Sequence, residues 1–222
     1  MFLISGSDYE VTSQEILSMS VNPKELDKSI FVIGTAASMQ NKESIGLATE
    51  KLGQLGFSSE TSKGVTRSEL IEEEEENLKN YEKSKTALIL DGSQIHFLSC
   101  FKQTKLSDAI KQDSTLKKVV VMPINIATTI GGFAYDARGG AFTFGLEWIP
   151  GIIVVDETQM NDRTVSLLPK NTTLIAVDKN SILSVSKNDL GIEIGAYGTG
   201  KIVIKSDTMD EVLDPGQSKI IK

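Results

Sequence analysis

The chain contains one cysteine and one histidine, Cys100 and His96. A single cysteine cannot form a disulfide within the chain, and this pair cannot supply the ligands of a Cys/His zinc site. The same scarcity limits catalysis, because a Ser-His or Cys-His mechanism must use His96 or dispense with histidine. A Cys/His zinc site is therefore excluded, and we expect no other metal site and no cofactor.

Long apolar segments are also lacking. The apolar runs are all shorter than the roughly 18 residues that suggest a membrane-spanning helix. The first eight residues, Met1 to Asp8, have neither the basic start nor the long apolar stretch of a signal peptide. These absences predict a cytoplasmic protein that does not associate with membranes.

Positive charge is in deficit, with 23 lysines and arginines against 30 acidic residues and a formal net charge of −7. This charge repels phosphate backbones, so nucleic acid is not an expected partner. The hydrophobic fraction of 40% is high enough to form a core and excludes a largely disordered chain. We expect one domain over residues 1–206 and a loosely attached polar tail over residues 207–222.

The first half of the sequence alternates short apolar runs with helical patterns, which predicts an α/β fold with a parallel sheet. Strands are expected at residues 2–4, 30–33, 87–90 and 119–122, and the last is the most apolar and should be central. The spacing of apolar residues predicts a helix after Asn41 that ends near Gly56 and another with Leu106 and Ile110 facing inward.

Thr66 and Glu69 match a capping box, which predicts a helix from Arg67 to Glu82. Its run of glutamates, residues 72–76, fans around the helix and should be solvated rather than bind a metal ion. The glycine-rich residues 131–145 are expected to form an extended loop. From Ile152 onward a period of two predicts strands at 152–155, 174–177, 182–185, 192–196 and 202–204.

Five segments, in this order, resemble the cyanophycinase and dipeptidase E family of serine peptidases. They are SIFVIGTAASM (29–39), ALILDGSQ (87–94), GLEWIPGIIVVD (145–156), AVDKNSILSV (176–185) and the stretch from Gly195 to Ile204. The resemblance covers about residues 2–205. It implies a three-layer, flavodoxin-like α/β sandwich of the class I glutamine amidotransferase type, with a mainly parallel central sheet and a β-rich C-terminal part.

The resemblance also implies a catalytic site, which this sequence does not reproduce. Family members carry a nucleophilic serine in Gly-Thr-Ser-Ala-Gly-Ala after the central strand, whereas residues 122–127 read Met-Pro-Ile-Asn-Ile-Ala. Ile124 or Asn125 then occupies the nucleophile position, and neither can attack a carbonyl. The family's catalytic histidine lies two residues after the aspartate that corresponds to Asp156, the last residue of the segment 145–156. In this sequence Thr158 occupies that position.

Five residues are candidates for a binding pocket. Gln94 matches the family's glutamine, and Gly92 keeps a turn glycine, although Asp91 replaces the glycine before it. Arg163 lies one residue away from a family arginine, and a surface salt bridge is its alternative. His96 could contact a substrate carboxylate or be a half-buried helix residue. Thr128 could act as a displaced nucleophile, and Cys100 is expected in the core.

These losses favour a catalytically inactive cyanophycinase-like protein that serves as a binding or regulatory module. The alternative is an active hydrolase of acidic peptides, such as cyanophycin or aspartyl dipeptides, with relocated catalytic residues. A third hypothesis is a pocket for a small metabolite. The expected ligand is a small acidic peptide or metabolite, and the resemblance implies a homodimer.

Overall fold

A computed structural model describes residues 1–6, 29–36, 42–113 and 118–221. The predicted helix start near Asn41 and the end of the 29–39 segment lie outside these residues. Within them the fold is α/β and is built around an eight-stranded sheet.

The eight-stranded sheet is mainly parallel and has an antiparallel extension at one side. Its strand order is β14-β11-β10-β1-β5-β4-β2-β3. The five strands β1, β5, β4, β2 and β3 lie side by side in this order and are parallel. On the other side of β1, the strands β10, β11 and β14 are each antiparallel to their neighbours. The strands are β1 (Phe2–Ser5), β2 (Ser29–Ile33), β3 (Ser58–Thr61), β4 (Thr86–Ile89), β5 (Val119–Pro123), β10 (Ser181–Asn188), β11 (Gly191–Gly198) and β14 (Ser218–Ile221).

Two smaller sheets complete the β-structure. A four-stranded sheet has the order β13-β12-β9-β8, and a hairpin is formed by β6 and β7. These strands are β6 (Phe133–Asp136), β7 (Ala141–Phe144), β8 (Ile152–Asp156), β9 (Thr173–Val177), β12 (Ile202–Ser206) and β13 (Met209–Leu213). The strands predicted after residue 151 are therefore confirmed, but they are divided between two sheets.

Seven α-helices lie within the described residues. They are α1 (Lys42–Gln54), α2 (Arg67–Glu72), α3 (Glu74–Lys83), α4 (Gln94–Phe101), α5 (Lys105–Asp113), α6 (Ile124–Ala127) and α7 (Asp162–Ser166), and a 3₁₀ turn covers Glu157–Gln159. The capping box of Thr66 and Glu69 is confirmed at the start of α2. Among these elements, no helix is long and apolar enough to cross a membrane.

The prediction of one continuous helix from Arg67 to Glu82 is wrong, because the helix is interrupted at Glu73 and forms the two helices α2 and α3. Adjacent carboxylates repel one another, and the interruption places the side chain of Glu74 beside Lys105, apart from the other glutamates of the run. Its side chain accepts a hydrogen bond of 2.8 Å from the backbone N–H of Lys105 and pairs with the Lys105 ammonium at 2.8 Å. The other glutamates of the run line a surface cleft.

The main core lies between one face of the large sheet, helices α2 to α6 and the four-stranded sheet. Trp148 is its largest fully buried side chain, and its ring stacks on Phe2 at a centroid distance of 5.8 Å. The opposite face of the large sheet packs on α1 through Leu52. Tyr135 of the hairpin covers the outer face of the four-stranded sheet.

Two expectations about irregular segments are wrong. Residues 131–145 form the β6–β7 hairpin instead of an extended loop, held by the ring pairs Phe133–Phe144 and Tyr135–Phe142. The predicted polar tail contains strands β13 and β14, which pair with β12 and β11. They are anchored because Leu213 and Ile221 enter the main core.

Candidate functional site

The parallel strands end at one edge of the large sheet, where ligands bind in open α/β sheets. The registers align Pro123 of β5 with Ser5 of β1, and Leu88 of β4 with both Val121 of β5 and Val32 of β2. The loops that follow β2, β4 and β5 therefore lie side by side. We call this region the carboxyl edge.

At the carboxyl edge, β5 passes into α6 without a strained elbow. Pro123 is the residue before the helix and has φ −74° and ψ 158°, an extended conformation. The non-glycine residues with positive φ in the described chain are Gln103, Glu147 and Asn171, none of them at this junction. The backbone strain that typically exposes a nucleophile is absent from residues 118–130.

Asn125 is held by its own side-chain hydrogen bonds. Its Oδ1 accepts from the backbone N–H of Ile126 at 2.8 Å. Its Nδ2 donates to the carbonyl oxygen of Gly92 at 2.8 Å and to Oδ1 of Asp91. The side chain thus connects the start of α6 to the loop after β4. It also engages the backbone N–H of Ile126, the kind of donor that stabilises an oxyanion in acyl transfer. Ile124 beside it is half-buried and has no reactive group.

The two threonines after α6 turn their hydroxyls into the helix. Thr128 Oγ1 donates to the carbonyl oxygen of Asn125 and Thr129 Oγ1 to that of Ile126, both at 2.7 Å. Their residues are only 3% and 0% exposed. A nucleophilic hydroxyl must reach both a base and the substrate, and this geometry provides neither contact.

Thr158 lies at the end of β8 in the four-stranded sheet. Its backbone N–H and its hydroxyl both donate to Asp156 Oδ1, at 2.9 and 2.5 Å, so that Asp156 caps the 3₁₀ turn. Loss of hydration and the nearby carboxylate of Asp178 raise the pKa of Glu157 above its ordinary value. The position of the family's base is therefore a turn with neighbouring carboxylates.

His96 points from α4 toward the loop before α2. Its Nε2–H donates to the carbonyl oxygen of Val65 at 2.8 Å, and its Nδ1 lies 3.7 Å from the sulfur of Cys100, one turn along the helix. Cys100 is in the core, as expected. Among the described residues, no hydrogen bond joins His96 to Asn125, Thr128 or Thr158.

Gln94 and Arg163 approach the β6–β7 hairpin from two elements. Gln94 Nε2 donates to the carbonyl oxygen of Tyr135 at 2.9 Å. Arg163 is exposed on α7, and its guanidinium carbon would lie 3.7 Å from a Cβ placed on Gly140. The structure thus joins Gly92 to Asn125, places Gln94 and Arg163 at the hairpin, and directs His96 elsewhere.

Two features of the carboxyl edge are absent from the predicted site residues. Asp91 is the common acceptor for Asn125 and for the backbone N–H of Gly92, the latter at 2.5 Å. Thr35, in the loop after β2, is fully buried, and none of the described residues forms a hydrogen bond with its hydroxyl. The sequence signal for Asp91 is its replacement of the family glycine; Thr35 gives no such signal.

Metal binding has no geometric support in the part of the chain that is described. No group of three or more His, Cys, Asp or Glu side chains there could hold an ion. The candidate site consists of amide, hydroxyl and carboxylate groups.

Comparison with known proteins finds the same fold in solved peptidase structures. No family model matches the sequence, and a search of the curated proteins finds no match. A peptidase from an acI-B1 Actinobacterium aligns over 99% of this chain and 96% of its own, with a TM-score of 0.75 and 17% identity. A Peptidase E-like protein from Listeria monocytogenes EGD-e aligns over 90% and 98%, with a TM-score of 0.60 and 11% identity. At these identities the likeness concerns the fold, and the chain has a peptidase-like fold.

Proposed function

We propose that this chain is a catalytically inactive homologue of the cyanophycinase and dipeptidase E serine peptidases and that it serves as a binding or regulatory module. The proposal includes the flavodoxin-like, class I glutamine amidotransferase-type arrangement of the layers. It also includes a cytoplasmic location, a homodimer and a small peptide or metabolite as ligand.

The observation that carries the proposal is the bonding of Asn125. An amide is not a nucleophile for acyl transfer, and this one is already engaged by Asp91, Gly92 and the N–H of Ile126. A ligand that displaced the amide of Asn125 would have to make up for three hydrogen bonds, each of which contributes about 0.5–1.5 kcal/mol. The junction is therefore better suited to holding two loops together than to chemistry.

The missing base supports the same conclusion. A serine-type mechanism needs a group that accepts the nucleophile's proton within hydrogen-bond reach. Thr158 stands at that position and gives its hydroxyl hydrogen to Asp156. The only histidine, His96, bonds to Val65 on another side of α4. A single lost group can be replaced by a neighbour, whereas here both partners of the pair are missing.

The test is a hydrolysis assay with purified protein. Cyanophycin and aspartyl dipeptides are incubated with the wild type, and the released amino groups are measured against buffer and against an active aspartyl dipeptidase. We expect release at the buffer rate. The variants Thr128→Ala and Thr129→Ala are measured in parallel, with Thr172→Ala as the matched control, because its hydroxyl also donates to a carbonyl three residues earlier.

Turnover by the wild type that disappears in Thr128→Ala or Thr129→Ala but persists in Thr172→Ala would establish a relocated threonine nucleophile. That result would refute the proposal and support the active hydrolase of acidic peptides. A variant with a restored hydroxyl, Asn125→Ser, should also be inactive, because it still lacks a base.

A further inference from the structure

Asp91 presents an oriented carboxylate at the carboxyl edge. It directly follows the buried strand β4 and is itself exposed. Its Oδ1 accepts hydrogen bonds from the N–H of Gly92 and from Nδ2 of Asn125. Two donors on one oxygen fix the direction of the carboxyl group, and neither of them bonds to its second oxygen, Oδ2.

The carboxylate of Asp91 makes no ion pair within residues 1–6, 29–36, 42–113 and 118–221. Within the described ranges no lysine or arginine lies in salt-bridge distance of its carboxylate, and no hydrogen bond reaches Oδ2. The bonds that it does receive come from uncharged amides. Amide donors orient a carboxylate without pairing it with an opposite charge, so Asp91 places an oriented acidic group at the edge where ligands bind in such sheets.

The surroundings of Asp91 add further acceptor capacity. The backbone N–H of Ser93 donates to the carbonyl oxygen of Ala36 at 2.9 Å, which holds the loop after β4 against the loop after β2. The carbonyl oxygen of Gly92 accepts from Asn125 and retains a second lone pair.

This chemistry selects one class of ligand. An acidic group would be repelled by Asp91, and a metal ion would need more ligands than one carboxylate. A guanidinium binds best to both oxygens of a carboxylate at once, and Oδ1 already has two donors. A primary ammonium is a compact charge with three donors and can use Oδ2 alone. Ile95, 49% exposed at the start of α4, adds an apolar surface for a carbon chain.

We infer that the carboxyl edge binds a primary ammonium group through Asp91, in the way that fits an alkylamine or the free amino terminus of a peptide. This rests on the proposed function, since the edge is free to bind such a group only if it does not perform acyl transfer. It also reverses the charge of the ligand that the family resemblance implies.

The inference is tested by titration calorimetry and NMR with four probes. Butylamine and leucinamide carry the ammonium, N-acetyl-leucinamide lacks it, and succinate carries the opposite charge. We expect the two amines to bind and the other two probes to fail. In Asp91→Asn the affinity should fall by about tenfold or more, the effect of losing a hydrogen bond between charged groups.

Asp189→Asn is the matched control. It makes the same change of charge at an exposed residue in the turn after β10, and β10 runs antiparallel to β1, so the turn lies at the opposite edge of the sheet. Its affinity for both amines should equal that of the wild type. If Asp91→Asn does not fold, the amide resonance of Gly92, which bonds to Asp91, reports binding in the wild type.

Equal weakening in both aspartate variants, binding of succinate, or amine binding without a shift of the Gly92 resonance would each overturn the inference. Leucinamide and butylamine together separate a peptide terminus from a simple amine, because preference for leucinamide indicates contacts to its amide. The hydrolysis assay decides the proposed function separately: absent amine binding with absent turnover refutes the ammonium site alone.

Discussion

Glu147 adopts a left-handed backbone conformation, with φ 57°, in the loop between β7 and β8. The loop cannot relax easily, because the N–H of Glu147 donates to the carbonyl oxygen of Gly131 at 2.9 Å and its neighbour Leu146 donates to that of Thr129 at 2.8 Å. We therefore predict that Glu147→Gly stabilises the protein.

The magnitude follows from three contributions. Removing the Cβ relieves about 1–2 kcal/mol of strain at a left-handed residue. The added freedom of the unfolded chain takes back about 0.4–1 kcal/mol. The variant also loses the ion pair with Lys111, whose charged atoms are 3.5 Å apart on side chains that are 45% and 61% exposed. A surface pair of this kind contributes about 0.3 kcal/mol. A net gain of about 0.5 kcal/mol in the free energy of unfolding remains.

Urea unfolding of the wild type, Glu147→Gly and Glu147→Ala measures this gain. Glu147→Ala is the matched control, since it also loses the ion pair but keeps the Cβ. It should be no more stable than the wild type, whereas Glu147→Gly should unfold at a higher urea concentration and, in a thermal scan, at a melting temperature about 1–2 °C higher. If the alanine variant is as stable as the glycine variant, the strain assigned to the left-handed conformation is refuted.

Two other predictions concern Trp148 and Glu157. The indole N–H of Trp148 donates to Oγ of Ser107 at 2.9 Å inside the core. Ser107→Ala should therefore lower the free energy of unfolding by about 1–3 kcal/mol, and the fluorescence of this only tryptophan should follow the transition in urea; an unchanged midpoint would contradict the assigned bond. Because the pKa of Glu157 is raised from 4.5 in the folded chain, the folded state keeps the proton longer, and stability should fall as pH rises above that value. Glu157→Gln should remove this fall in unfolding experiments between pH 4 and 7, and an identical pH profile in both proteins would count against it.

Much of the fold is readable from the sequence because its strands are short, apolar and bounded by turns. The strand predicted at residues 119–122 is expected in the centre of the sheet, and the observed strand β5 lies between β1 and β4. The segments that deviate have weak patterns: β13 buries only Leu213 fully, among acidic and polar neighbours. Alternation over so few residues cannot be separated from a polar tail, so the pairing with β12 decides the structure.

The hairpin illustrates a different difficulty. Phe133 and Tyr135 on one side of Gly139 and Gly140, and two aromatic residues on the other, have the period of two that strands require. Glycine-rich composition also favours a loop, and the two signals compete. The ring pairs settle the competition through cross-strand contact, which depends on register and cannot be derived from composition.

The candidate site shows the same division between what is local and what is long-range. The sequence places Asp91 and Asn125 after two strands whose carboxyl ends share an edge, which is a local inference. That Asn125 then donates to Asp91 depends on how far each loop extends beyond its strand.

The direction of His96 is set instead by its position around the helix α4. The same helical turn that brings its ring to Cys100 also brings it to Val65. A histidine close to the family's site in sequence can thus be absent from the site in space. The loss of chemistry that we propose would therefore follow from the geometry as well as from the residue types, and restoring a serine alone would not reverse it.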